Sequence, residues 1–232
     1  MSSSTKYAGV DIMTNNSWEL RCFFSGEIPQ AVKFWFENID ETRYIIHENS
    51  REDHQILFSK ACEDIGIKIR EERLEIKWRK QRQSFSLPDK RIVGTAENWL
   101  KWIWVSDQRR KDDYLSILLG PPQGPTVKIG KRRDLRINQA LRSDNRNNDN
   151  HHYLLRALSH RSSEGEGCLI EITNVVIRNR YGWSIALESF GSEDPELMQT
   201  AADLYLSKYM GQALIEENSS GYPHWVSSIM KV

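Results

Sequence analysis

Cysteine is scarce in this chain. Its 232 residues contain three, Cys22, Cys62 and Cys168, widely spaced and odd in number. No CxxC or Cys/His spacing for zinc accompanies them, and no disulfide framework can use all three. Free thiols in a reducing compartment are the expectation. Net charge is also missing: 32 Lys and Arg balance 32 Asp and Glu. The chain as a whole therefore exerts no pull on nucleic acid or anionic membranes, and any anion site must be built by concentrating cations locally. No apolar run approaches the roughly 20 residues that a membrane-spanning helix requires. The opening MSSSTKYAGVDIMTNN lacks the apolar core of a signal peptide, so a cytoplasmic location without a membrane partner is expected. Gly-rich phosphate loops, βαβ alternation and repeat periods are absent too, which argues against a doubly wound nucleotide fold or a solenoid. The six histidines form no triad-like set.

What is present is alternation. In IGIKIREERLEIKWRKQ (65–81), Ile65, Ile67 and Ile69 share one parity while Lys68 and Arg70 take the other. Leu74, Ile76 and Trp78 then alternate with Glu75, Lys77 and Arg79. Successive side chains on a strand point to opposite faces, so each segment has one apolar and one ionic face. SWELRCFF (17–24) repeats the pattern with Trp18, Leu20, Cys22 and Phe24 opposite Glu19 and Arg21. ENWLKWIWVS (97–106) sets Leu100, Trp102 and Trp104 against Lys101. Further strands are predicted at 42–49 and 53–60, as a hairpin turning at SRED, and at 114–120 and 125–137. A long hairpin over 168–191 is predicted to turn at 179–182. Helical spacing marks 26–39, and a second helix starts near Asp194 with Pro195 in its first turn.

One wet, charged face is ordinary for a single strand. Here the trait is shared by many strands, and the opposite faces carry Trp18, Trp78, Trp102, Trp104 and Trp183, too much apolar surface to leave in water. Closing the strands into a ring sets the tryptophans outside under helices and turns the charges into the lumen. The expected class is α+β: mainly an antiparallel barrel of eight or so strands, a tunnel with flanking helices. The expected layout is a flexible tail over 1–16, a single barrel domain over 17–226 with a loop-rich insertion at 138–167, and a short tail over 227–232. A short strand is predicted inside the insertion at 152–158. KRRDLR (131–136) is read as a strand end or tunnel rim, and no specific nucleic-acid contact is expected. The paired histidines of DNHHY (149–153) are read as solvent-exposed.

The segments GIKIREERLEIK (66–77), WLKW (99–102), SIALESFG (184–191) and GYPHWV (221–226) occur in that order. Through them the chain resembles the CYTH superfamily, the triphosphate tunnel metalloenzymes, and within it an uncharacterised bacterial, largely cyanobacterial branch. The resemblance spans roughly residues 17–226 apart from the insertion. It implies that Arg21, Lys68, Arg70, Lys77, Arg79, Lys101 and either Lys128 or Arg133 bind phosphates. It further implies that Glu19, Glu171 and Glu188 hold Mg²⁺ or Mn²⁺. The family's opening ExExK reads Ser17-Trp18-Glu19-Leu20-Arg21 here, and its late ExE reads Ala186-Leu187-Glu188, so one carboxylate is missing from each.

Metal-dependent hydrolysis of a triphosphate or polyphosphate in the lumen is the leading functional expectation. Clamping cations would neutralise transition-state charge, and the metal would polarise the scissile phosphoryl group. One alternative keeps the barrel as a non-catalytic binder of a phosphorylated ligand. Another is an open sheet with a solvated charged face, serving as an interaction module. The expected partner is a phosphorylated small molecule or polyphosphate, and dimerisation through exposed tryptophans stays open.

Overall fold

Alternation of apolar and ionic residues builds a wall with two unlike faces, and the chain bends that wall into a ring. The computed structural model describes residues 3–7, 10–39, 44–57, 63–70, 73–88, 91–106, 126–140 and 166–230. In chain order these form β1 (Ser3–Tyr7), β2 (Val10–Ser25), α1 (Gln30–Glu37), β3 (Tyr44–His47), β4 (Arg51–Ile56), β5 (Ile65–Arg70), β6 (Arg73–Ser86) and β7 (Val93–Ser106). Then follow β8 (Thr126–Ala140), β9 (Glu166–Ile177), β10 (Arg180–Phe190), α2 (Pro195–Tyr205) and α3 (Tyr222–Met230). The predicted strand at 114–120, the predicted strand at 152–158, the DNHHY histidines and Cys62 lie outside the described residues.

The sheet order is β2-β10-β9-β8-β4-β5-β6-β7, and β7 pairs back onto β2 through registers such as Glu19↔Glu97 and Ser17↔Trp99. Eight antiparallel strands thus close into a barrel, with β1 added on β2 and β3 on β8. Closure leaves no unpaired edge in the ring. The predicted hairpin between 42–49 and 53–60 is corrected: β3 and β4 do not pair with each other. Both run antiparallel to β8, Ile45 opposite Arg136 and Arg51 opposite Lys131, so they are two pieces of one interrupted strand. Residues read as terminal tails also carry structure, since β1 and the first half of β2 precede Ser17 and α3 continues to Met230.

The main core lies outside the ring. Leu20, Cys22, Ile170, Ile172, Trp183 and Ile185 pack from the wall against Val32, Trp35, Met198, Ala202 and Tyr205 of α1 and α2. Asp194 starts α2 as sequence chemistry predicts: its carboxylate accepts from the Glu196 backbone N–H at 2.9 Å, and Pro195 follows. Trp18 and Trp183 are fully buried there, as the closed-ring reading requires. Trp78 is 46% exposed, and Trp102 and Trp104 are half-buried; this core includes none of the three. The covering helices therefore shelter only part of the tryptophan face.

At one end of the ring the inward parity becomes apolar. Val127, Ile129, Val175 and Ile177 point inward there and pack, with Leu57, against Val226, Trp225, Ile229 and Met230 of α3. Phe23 stacks on Trp225 with centroids 4.2 Å apart and meets Tyr222 edge-on. Nearby, β10 approaches β2 so closely that a Cβ on Gly182 would fall 2.8 Å from the Phe24 carbonyl oxygen. Gly182→Val is accordingly expected to lower stability by about 1–3 kcal/mol, measured by chemical denaturation. Among the described residues no helix is long and apolar enough to cross a membrane.

Candidate functional site

With the apolar residues turned outward, the inner wall of the ring is ionic. It encloses a cavity of about 460 Å³ lined by residues from all eight strands. Nine Lys and Arg side chains face it against five glutamates, with the fully buried Asp53 behind them as a sixth carboxylate.

These charges form an ion-pair girdle. Lys77 Nζ donates to Glu19 Oε2 at 2.9 Å, and Arg21 Nε donates to Glu19 Oε1 at 2.6 Å. Arg21 Nη1 reaches Glu171 Oε1 at 2.7 Å, whose Oε2 accepts from Arg133 Nη1 at 3.0 Å. Arg133 and Arg51 both hold Glu48. Arg51 then approaches Asp53 at 3.7 Å, and Arg70 grips Asp53 through two bonds of 2.7 and 2.9 Å. Lys131 and Lys68 approach the same carboxylate at 3.0 and 3.5 Å. Lys68 and Lys101 contact Glu75 at 3.1 and 3.3 Å, and Lys101 sits opposite Lys77 in the β6–β7 register. Buried pairs of this kind contribute little net stability, because desolvation offsets attraction, but they fix which atoms face the cavity.

The electrostatics follow the geometry. Burial pushes Lys68 down to about 7, reinforced by Arg70 and opposed by Asp53 and Glu75. Burial also pushes Lys131 down to about 7, with Asp53 opposing and Arg70 and Arg51 reinforcing. Burial alone would raise the Glu171 carboxyl, yet Arg21 and Arg133 carry it well below the usual range. Glu19 is likewise lowered by Lys77 and Arg21 against burial. Arg21 is held well above its ordinary value: burial opposes its charge, and Glu171 and Glu19 more than compensate.

Most predicted site residues meet in this cavity: Glu19, Arg21, Lys68, Arg70, Lys77, Lys101, Arg133, Glu171 and Glu188 all line it. Arg79 faces inward but is buried against Glu97 (2.6 Å) and Asp64, with its guanidinium 5.6 Å from the Trp99 ring centroid; it does not line the cavity. Lys128 is corrected. It lies outside the barrel, 68% exposed and paired with Glu52 at 3.1 Å. The parity was already informative, because 128 and 133 differ by an odd number and cannot share a face of an unbroken strand. Residues missed are Asp53, Glu48, Arg51, Arg73, Glu75, Lys131 and Trp99. Lys131 has the parity of Arg133, whereas Asp53 and Arg51 were hidden inside a segment read as a turn.

The carboxylate set does not fit a divalent metal. Both oxygens of Glu19 are engaged by Arg21 and Lys77. Both oxygens of Glu171 are engaged by Arg21, Thr173 and Arg133. Among the described residues, no three His, Cys, Asp or Glu side chains are grouped to hold a metal. Glu188 adjoins Glu19 in the β2–β10 register and accepts from Ser17 Oγ at 3.2 Å.

No protein-family model matches the chain, and no curated protein does. Two solved structures match the chain at low identity. A Hippeastrum protein assigned as an adenylyl cyclase and described by a dominant triphosphatase activity matches at 10% identity, covering 83% of this chain and 87% of its own, with a TM-score of 0.39. The PH1819 protein of Pyrococcus horikoshii OT3 matches at 14% identity, covering 91% of this chain and 99% of its own, with a TM-score of 0.41. The closed antiparallel barrel is the class that the alternation of apolar and ionic residues predicts.

Proposed function

We propose that the lumen binds a phosphate-rich anion, a triphosphate or polyphosphate chain. The observation that carries this reading is the excess of Lys and Arg over carboxylates around a preformed cavity. Phosphate oxygens accept charge-assisted hydrogen bonds from such cations, bidentately from guanidinium groups. The ligand takes up positive charge that six carboxylates leave uncompensated. Calorimetry with tripolyphosphate tests the reading. The intact chain is expected to bind it, and Lys101→Met with Arg133→Gln to weaken binding by about 1.5–3 kcal/mol for each charged hydrogen bond lost. Equal affinity for tripolyphosphate and for a neutral polyol of similar size would sink it.

A second reading is hydrolysis of the bound chain. Its specific support is Glu188, which faces the cavity beside Glu19. Orthophosphate release from tripolyphosphate and nucleoside triphosphates, with Mg²⁺, with Mn²⁺ and with chelator, separates hydrolase from binder. Release that survives both Glu188→Ala and Lys77→Ala would place the chemistry elsewhere.

A further inference from the structure

Between β2 and β9 runs β10, and its residue opposite both Arg21 and Glu171 is Ala186. By parity with Ser184 and Glu188, the Ala186 side chain points into the lumen. A methyl group there leaves a gap, and the Arg21 guanidinium spans it. One end of that guanidinium donates to Glu19 at 2.6 Å on its own strand. The other donates to Glu171 at 2.7 Å two strands away and to the Ser184 hydroxyl at 3.0 Å. The head is only 5% exposed and lies 4.9 Å from the centroid of the Tyr222 ring. Lys77, Thr173 and Arg133 engage the same two carboxylates from the other sides.

We infer that Arg21 is the resident cation of this carboxylate pair, so that the cavity takes its phosphate ligand without a divalent metal. A tethered guanidinium cannot dissociate, its positive charge is held by both glutamates, and its planar fork donates along fixed directions. The residue that departs from a carboxylate at 186 is the one that lets Arg21 cross. Of the chain's departures at Ser17, Arg21 and Ala186, the last two thus act together, placing a fixed cation between Glu19 and Glu171. The metal-free half of this inference rests on the phosphate-binding reading; the assignment of Arg21 does not.

The test titrates the full chain with Mn²⁺ in the absence of phosphate, following free metal by electron paramagnetic resonance. The expected result is no stoichiometric binding by the native protein and a gain of one bound Mn²⁺ in Arg21→Met, lost again in Arg21→Met with Glu171→Gln. Stoichiometric Mn²⁺ binding by the native protein that disappears in Glu19→Gln or Glu171→Gln overturns the assignment. Should Arg21→Met not fold, the native titration still decides. Calorimetry with tripolyphosphate then adds the second arm, corrected for the metal–phosphate complex. Affinity unchanged between Mn²⁺ and chelator supports the inference, and a ten-fold gain with Mn²⁺ overturns it. Silence under both conditions would sink the phosphate reading and the metal-free half with it, leaving Arg21 to the Mn²⁺ titration.

Discussion

Asp53→Asn is expected to destabilise the fold by about 3–5 kcal/mol, the range for removing one partner of a buried ionic cluster. Asp53 is fully buried, and its carboxylate is the common partner of Arg51, Lys68, Arg70 and Lys131. An amide keeps the volume but leaves four cations facing one another. Loss of protons from Lys68 and Lys131 relieves part of that repulsion, so the deficit should shrink as pH rises through 7. Acid reports the same interaction in the native protein. Burial would raise the Asp53 carboxyl, but Lys68, Lys131 and Arg70 carry it far below its ordinary 3.8. Its contribution is therefore present above the unfolded value and lost as pH falls below it. Urea denaturation at several pH values measures both effects. Lys128→Ala, which breaks an exposed pair on the outer wall, is the control and should leave the midpoint unchanged. An Asp53→Asn midpoint equal to that control would mean the girdle does not hold the ring.

Anion affinity is expected to fall by up to about 100-fold between pH 6 and pH 8. Lys68 and Lys131, both pushed down to about 7, are mostly charged at the lower pH and mostly neutral at the higher one. Each then contributes about ten-fold if the bound anion requires its charged form. The groups facing them, Arg51, Arg70, Asp53 and Glu75, keep their charges throughout that window. The Tyr222 phenol, pushed up to about 12 by burial, stays neutral. Trimetaphosphate is a suitable probe because its own ionisation is complete across the range. Lys68→Met should flatten the profile by about ten-fold, one lysine's share. A pH-independent affinity in the native protein would show that these ammonium groups do not meet the ligand.

Parity carried most of the barrel. Once Lys68, Arg70, Lys77 and Lys101 share a face opposed to isoleucine and tryptophan, closure is the arrangement that shields both, and the structure closes. What parity could not reveal was pairing at long range. SRED looks like a turn because Ser, Asp and charged neighbours suit one. Yet Arg51 and Asp53 bond across to β8 and β5, placing the hub of the girdle where a loop was expected. Likewise no local signal told that Trp225 would stack on Phe23 roughly 200 residues earlier in the chain. Nor did any local signal show that Glu19 and Glu171 would be spoken for by Arg21. Ion pairing depends on neighbours that only the closed ring supplies.

The seating of α3 on Val127, Ile129, Val175 and Ile177 has a kinetic meaning. Among the described residues the lumen is a blind sleeve, its rim marked by the exposed His47, Asn49 and Ser50. A polymer cannot be threaded through a blind sleeve. On the proposed phosphate-binding reading, a long chain would insert only its terminus and back out through the same rim before the next molecule arrives.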